Sequence, residues 1–203
     1  MGGGADSRIP SILSDFYAGC ANGAVRVVCH TYDFDPEFAQ VQIKGWLEEY
    51  KPDLVIGESL GSLHALRVHD RPVLLVSPAL NTPFFFGLLS WLTWIPGVKA
   101  LFEYIYKPKE GDRQRMDFSR KVLRKYCFHG QEALLFGKYS DSYLHAFFGV
   151  YDHYRRSGVV SLRMWKKVFG ANFTLYEGTH FMEEEYIYSL LIPKINEVLG
   201  FDF

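Results

Sequence analysis

Gly57-Glu58-Ser59-Leu60-Gly61 is the stretch of this sequence that decides the fold. The short apolar run before it, residues 53–56, suits a buried strand, and the leucines in 60–68 recur at the spacing of one helix face. A serine between a strand and a helix needs a tight turn, and the flanking glycines let the helix pass close to the strand because glycine has no Cβ. The stretch therefore predicts a strand, a sharp turn that exposes the Ser59 hydroxyl, and a helix. The alternative is an ordinary glycine-rich turn without a chemical role.

The composition is that of one globular domain, residues 1–203, long enough to bury its own core. A formal charge of −1 argues against nucleic-acid binding, because there is no basic excess to neutralise phosphates. Cys20, Cys29 and Cys127 are an odd number of cysteines without C-x-x-C spacing, which favours reduced thiols. Residues 1–4 do not resemble a secretory signal, so we expect a cytoplasmic protein. The sequence leaves the oligomeric state open.

Strands and helices alternate along the chain. The apolar, β-branched runs predict strands at 25–32, 53–56, 72–78, 132–137 and 172–176. Asp35 as N-cap with Pro36 at the first helical position predicts the start of one intervening helix, and 151–169 is predicted as another. This alternation indicates an α/β fold, with a mostly parallel sheet flanked by helices on both faces. Sheets of this kind place functional sites at the carboxyl ends of their strands.

Residues 79–131 interrupt the alternation. No charged residue occurs from Val73 to Val98, and Phe84–Ile95 is apolar nearly all round, yet this core is shorter than the roughly 20 residues that a membrane-spanning helix needs. Such a run must be buried on both sides, line an apolar pocket or lie at an interface. We predict an aromatic-rich helical lid, and the alternative is a subdomain that only stabilises the fold. In a lid, the candidates for binding an acyl or aryl group are Phe85, Trp91 and Trp94.

The candidate chemistry begins with Ser59, which is inert at neutral pH unless a base takes its proton. His180 is the candidate base, because it follows the last predicted strand directly, whereas His30 could only line the site. An imidazole base needs a carboxylate to hold its tautomer. Asp141 follows a predicted strand and is preferred, and Asp152, on a predicted helix, is its rival. No spacing of histidines, cysteines and carboxylates suggests a metal site, and no cofactor is expected.

With Ser59, Asp141 and His180 in this order, each in a loop after a predicted strand, the sequence resembles the α/β-hydrolase family. The resemblance covers nearly the whole chain and depends on the motifs G-E-S-L-G, F-G-K-Y-S-D and E-G-T-H-F, together with the position of the lid. It implies that Ser59 is the nucleophile, His180 the general base and then acid, and Asp141 the carboxylate that orients the histidine.

The resemblance also implies an oxyanion hole with two N–H donors. One is the N–H of Leu60, the residue after the nucleophile. The second belongs to a glycine-rich loop, for which Gly4 or Ala5 is the candidate. The sequence departs from the family here, because no strand precedes that loop. If the glycines form a flexible tail instead, half of the oxyanion hole is missing.

The implied function is a serine hydrolase that cleaves a carboxylic ester or thioester through an acyl-enzyme intermediate on Ser59. Its partner is then a small-molecule ester or acyl substrate, with no nucleic acid and no transmembrane segment involved. Two alternatives stay open: a non-catalytic ligand- or partner-binding protein of the same fold, and an acyltransferase. The sequence leaves the natural substrate and its acyl chain length open.

Overall fold

The computed structural model describes residues 7–20, 25–106 and 114–201. Within these residues, four parallel strands form one sheet in the order β1-β2-β3-β4. The strands are β1 (Val55–Glu58), β2 (Val73–Val76), β3 (Leu144–Gly149) and β4 (Phe173–Tyr176). Because all of them run in the same direction, their carboxyl ends meet at one edge of the sheet.

The helices are α1 (Arg8–Cys20), α2 (Pro36–Tyr50), α3 (Gly61–Ala65), α4 (Thr82–Leu92), α5 (Val98–Ile105), α6 (Arg120–Tyr139), α7 (His153–Arg156), α8 (Leu162–Phe169), α9 (Glu184–Tyr186) and α10 (Ile192–Leu199), with a π-helical turn at Ile187–Leu191. The predicted start of α2 is confirmed, since the Asp35 side chain accepts the Glu37 N–H at 3.0 Å. The predicted helix at 151–169 is instead two short helices, α7 and α8.

The sheet is covered on both faces, as its apolar strands require. Val73 and Leu75 of β2 belong to a buried cluster that includes side chains of α3, α4, α6 and α8. Leu74 and Val76, which point to the opposite face, belong to a second cluster with α1, the π-helical turn and α10. The predicted fold class, an α/β fold with a parallel sheet between two helical layers, is therefore confirmed.

The predicted strand at 25–32 is wrong, because this segment is not part of the sheet. Its side chains alternate between partly buried and exposed, and Val25 and Val27 pack against the second cluster. The β-branched pattern thus identified an extended segment with one inward face. A strand also needs a hydrogen-bonded neighbour, which the pattern does not specify.

The predicted strand at 132–137 is also wrong, and the correction moves a site residue. These positions belong to α6, whose buried side chains include Val122, Tyr126, His129 and Ala133, at helical spacing. The apolar run 133–136 fits a strand or a buried helix equally well. The strand that follows is β3, which the sequence analysis did not identify, so Asp141 precedes its strand instead of following it.

Helices α4 and α5 and the first part of α6 lie in the segment 79–131 between β2 and β3. Helices α4 and α6 pack closely: a Cβ at Gly130 would overlap the Pro83 ring, and the Cys127 thiol donates to the Pro83 carbonyl at 3.4 Å. This contact anchors the first turn of α4 to α6.

Candidate active site

Ser59 occupies a strained turn between β1 and α3. Its φ of 52° lies in the left-handed region, which a non-glycine residue adopts only when its surroundings impose it. The Ser59 N–H donates to the Val76 carbonyl at 2.9 Å, and the Ser59 carbonyl accepts the Ser62 N–H at 3.2 Å. A Cβ on Gly57 would lie 2.7 Å from the Ala65 Cβ, so glycine is required where α3 crosses β1.

The loop after β4 carries His180 and is held by its own polar groups. The Tyr176 hydroxyl donates to the Thr179 carbonyl at 3.1 Å. The Thr179 N–H and hydroxyl both donate to the Glu183 carboxylate, at 3.0 and 2.7 Å. Burial alone would raise the pKa of Glu183, but the hydrogen bonds from Thr179 outweigh it and the pKa is lowered. Glu183 is therefore a charged anchor for the backbone just before the histidine.

Asp152 lies in the turn after β3, beside the His180 loop. One carboxylate oxygen accepts the Tyr154 N–H at 2.7 Å, which leaves the other free to face the histidine. The two loops are joined by the Tyr151 N–H, which donates to the Gly178 carbonyl at 2.9 Å. A Cβ at Gly149 would overlap the carbonyls of the His180 loop, so this glycine permits the close approach.

Ser59, His180 and Asp152 form a continuous hydrogen-bonded chain. The Nδ1 of His180 lies 2.9 Å from Oδ2 of Asp152, and its Nε2 lies 2.8 Å from the Ser59 Oγ. A carboxylate can only accept, so the proton is assigned to Nδ1 and Nε2 is left to accept the serine hydroxyl. His180 and Asp152 are 1% and 0% exposed, whereas Ser59 is partly exposed. This geometry can pass the hydroxyl proton to an imidazole whose positive charge the aspartate stabilises.

No family model matches the sequence, and no curated protein matches it. Solved structures do match. The monoacylglycerol lipase of Paleococcus ferrophilus superposes with a TM-score of 0.60 at 16% identity, over 98% of this chain and 92% of the lipase. One of the metagenome-derived lipolytic enzymes LipS and LipT gives 0.54 at 14% identity, over 93% and 89%. A carboxylesterase of the thaumarchaeon Nitrososphaera gargenis gives 0.51 at 12%, over 97% and 89%. The chain has the α/β-hydrolase fold.

Within the α/β-hydrolase fold, the structure does not bring Asp141 to His180. Asp141 precedes β3 and lies at the amino edge of the sheet, where it lines an open polar cleft with His69, Asp70 and Arg71. A strand at 132–137 would place it at the carboxyl edge, but these residues belong to α6. Its rival, Asp152, is the carboxylate that meets the histidine.

The other predicted site residues have different outcomes. Leu60 directly follows Ser59 and is the N-cap residue of α3, so its N–H is at the serine turn. Gly4 and Ala5 lie outside the described residues. His30 stacks on Trp46, with ring centroids 4.6 Å apart, and takes no part in the hydrogen-bonded chain at Ser59.

The three aromatic residues predicted to bind substrate are all on or just after α4. Phe85 is half-buried beside Phe84. Trp91 and Trp94 are 70% and 67% exposed, and the Arg120 guanidinium lies over both indole rings. The structure thus places the two tryptophans on an outer surface.

Two residues at the site were missed by the sequence analysis. The Tyr154 ring meets His180 edge-on with centroids 4.5 Å apart. Burial raises the pKa of the Glu58 carboxyl, and the nearby His180 and Arg8 oppose that rise. The position of Glu58 beside Ser59 in the motif indicates that it lies at the site, whereas nothing in the sequence indicates this for Tyr154.

Among the described residues, no three histidine, cysteine or carboxylate side chains converge as a group that could hold a metal ion.

Proposed function

We propose that the protein is a serine hydrolase that cleaves a carboxylic ester or thioester. The observation that carries the proposal is the hydrogen-bonded chain from Ser59 through His180 to Asp152, with links of 2.8 and 2.9 Å. The fold adds support, because a monoacylglycerol lipase, a carboxylesterase and a lipolytic enzyme share it. Buried polar groups in such a chain have fixed orientations, which is what proton transfer requires.

In the proposed reaction, the Ser59 Oγ attacks the acyl carbon while Nε2 of His180 takes the hydroxyl proton. Asp152 stabilises the resulting imidazolium. The tetrahedral intermediate then loses its C–O or C–S bond, and His180 returns the proton to the departing alcohol or thiol. A water molecule repeats the sequence on the acyl-enzyme and releases the carboxylic acid and free Ser59.

Stabilisation of the oxyanion is part of the same proposal. The N–H of Leu60 is at the serine turn and follows the nucleophile directly, which suits one donor. Gly4 remains the predicted source of the second donor. Each donor removed from such a site costs about 10²–10³-fold in turnover, so both are needed for an efficient enzyme.

We also propose that the segment 79–131 is a lid over this site. Its first residue, Ala79, donates its N–H to the Ser59 carbonyl at 3.2 Å. The residue after α5, Tyr106, packs against the same buried cluster as Tyr154, whose ring contacts His180. The chain leading into α4 therefore begins at the site, where an acyl group would have to pass. Phe85, half-buried on α4, is the proposed acyl contact.

A fluorophosphonate probe tests the proposal, because it labels only a serine activated by a base. Labelling is expected in the natural protein and is expected to vanish in Ser59→Ala. Ser189→Ala is the matched control, since Ser189 is an exposed serine of the π-helical turn whose hydroxyl donates to the Glu185 carbonyl at 2.7 Å, and labelling should be unchanged. A folded protein that is never labelled would contradict the proposal.

Turnover separates this function from the two alternatives. Hydrolysis of a p-nitrophenyl ester that is lost in His180→Ala would exclude a non-catalytic binding protein. Acyl transfer uses the same acyl-enzyme, so it is tested by adding an alcohol acceptor and measuring the ratio of new ester to free acid. A product that is mainly the new ester in dilute acceptor would make the protein an acyltransferase instead.

A further inference from the structure

Helices α4 and α5 and the turn between them carry large exposed apolar side chains, which together we call the aromatic face. Its main side chains are each more than half exposed: Phe84, Leu88, Trp91, Trp94, Leu101 and Tyr104. On α4, Phe84, Leu88 and Trp91 are spaced i, i+4 and i+7, so they share one side of the helix. Folded proteins rarely leave so many large apolar groups together in water unless something covers them.

The surroundings of the aromatic face are basic. The described residues of 79–131 include six lysines and arginines and two acidic residues, although the whole chain has a formal charge of −1. Two of the six, Lys99 and Lys125, form ion pairs with carboxylates. The Arg120 guanidinium lies 4.6 Å from the Trp94 ring centroid and 5.6 Å from that of Trp91. Lys121 and Arg124, the next basic residues on α6, are exposed. Tryptophan, tyrosine and leucine bordered by basic side chains are typical of surfaces that lie in the headgroup region of anionic lipids.

The charge around the aromatic face and the lengths of the helices indicate what kind of partner covers this face. A second copy would bring two basic borders together, and like charges at an interface oppose association. None of the helices in the described parts of the chain is both long and apolar enough to span a membrane. Helix α4 has 11 residues, about 16 Å, which suits a helix that lies on a bilayer surface.

We propose that the aromatic face docks the protein on an anionic lipid surface. Trp91 and Trp94 enter the headgroup layer, and Arg120, Lys121 and Arg124 contact lipid phosphates. Because α4 begins three residues after Ala79, which bonds to Ser59, docking also holds the rim of the candidate active site against the lipid. The binding itself does not depend on the proposed hydrolase function.

Vesicle flotation with Ser59→Ala tests this docking without involving activity. The probe is vesicles of phosphatidylcholine with about one third phosphatidylglycerol, with pure phosphatidylcholine for comparison. We expect binding to the anionic vesicles that weakens as salt is added. Adding Trp91→Ser and Trp94→Ser should weaken it about tenfold or more, because two large apolar groups no longer leave water. The control pair Val41→Ser and Tyr139→Ser, at 72% and 73% exposure outside the aromatic face, should leave binding unchanged.

Separate variants test how much the basic side chains contribute to vesicle binding. Lys121→Gln and Arg124→Gln should each weaken binding to anionic vesicles about fivefold, with little effect on pure phosphatidylcholine. Three results would overturn the proposal: no binding to either vesicle, equal loss in the control pair, or a dimer in sedimentation that Trp91→Ser with Trp94→Ser dissociates while vesicles are not bound. The last would assign the face to a contact between copies. Labelling by the fluorophosphonate probe is independent of all three, so failure here leaves the proposed function untouched.

Discussion

Each end of β3 carries an aspartate, and the two have opposite surroundings. Asp152, after the strand, is fully buried, and its two carboxylate oxygens accept from the Tyr154 N–H and from His180. Asp141, before the strand, is on the wall of an open polar cleft, beside Asp70 and Arg71. An aspartate is thus held by hydrogen bonds at the carboxyl edge of the sheet, whereas an aspartate at the amino edge is exposed to solvent. The difference arises because the loops at the carboxyl edge bond to one another, through the Tyr151 N–H and the Gly178 carbonyl.

The largest expected effect comes from neutralising the two aspartates separately. Asp152→Asn should lower kcat for a p-nitrophenyl ester by about 10³–10⁴-fold, because the amide no longer stabilises the imidazolium or fixes the tautomer of His180. Asp141→Asn should change kcat by less than about twofold, since it removes only a solvated charge. Circular dichroism and thermal unfolding establish that both variants fold. Equal losses in the two variants would contradict the assigned roles.

The second largest effect concerns stability, and it tests the close contact between β1 and α3 on either side of the serine turn. Gly57→Ala should lower the free energy of unfolding by about 2–4 kcal/mol, because the new Cβ would lie 2.7 Å from that of Ala65. Gly45→Ala is the matched control in α2: no atom lies within 4 Å of its added Cβ, so we expect stabilisation of about 0.5–1 kcal/mol. Urea unfolding measures both. A neutral Gly57→Ala would mean that α3 does not cross β1 as closely as described.

These two aspartates also show which features of the molecule sequence patterns can identify. The serine turn was predicted because its requirements are local: a strand, two small residues and a helix within about ten positions. The sequence favours Asp141 over Asp152 because the apolar run 133–136 fits a strand and a helix alike, and only tertiary packing decides between them. The exposure of Trp91 was equally beyond prediction, since hydrophobicity does not specify which neighbour covers a side chain.

His64 and His129 contrast with His180, whose two ring nitrogens both have hydrogen-bond partners. His64 and His129 are buried with ring centroids 4.5 Å apart, and their Nε2 atoms have no hydrogen-bond partner among the described residues. Burial lowers the pKa of His64 to about 3, helped by His129 and Arg67. Burial and Arg67 lower the pKa of His129 to about 4, against the opposing effect of Glu132.

Both histidines are therefore neutral in the folded protein, and acid should destabilise it. Below the unfolded pKa of 6.5 the unfolded chain binds protons that the folded chain does not, so stability should fall from pH 6.5 to about 4 for His129 and to about 3 for His64. The expected slope is up to about 1.4 kcal/mol per pH unit for each histidine. His129→Leu should flatten this slope in urea unfolding at pH 7 and pH 5, whereas His69→Gln, on an exposed histidine, should leave it unchanged. An unchanged slope in His129→Leu would mean that His129 is protonated in the fold.

The smallest effect tests how the His180 loop is held. Glu183→Ala removes the acceptor for the Thr179 N–H and hydroxyl, at 3.0 and 2.7 Å, and so frees the backbone next to His180. We expect kcat/KM for a p-nitrophenyl ester to fall about tenfold, the size of one or two net hydrogen bonds, together with a modest loss of overall stability because the same bonds hold the folded loop. Glu184→Ala, on the adjacent exposed carboxylate, is the control and should keep full activity. If the loss in Glu183→Ala appeared in thermal stability and not in kcat/KM, the carboxylate would support the fold of α9 and not the position of the histidine. A selective loss of activity would instead show that the buried pair of His180 and Asp152 is insufficient to orient the imidazole, and that the hydrogen bonds from Thr179 to the partly buried Glu183 are also needed.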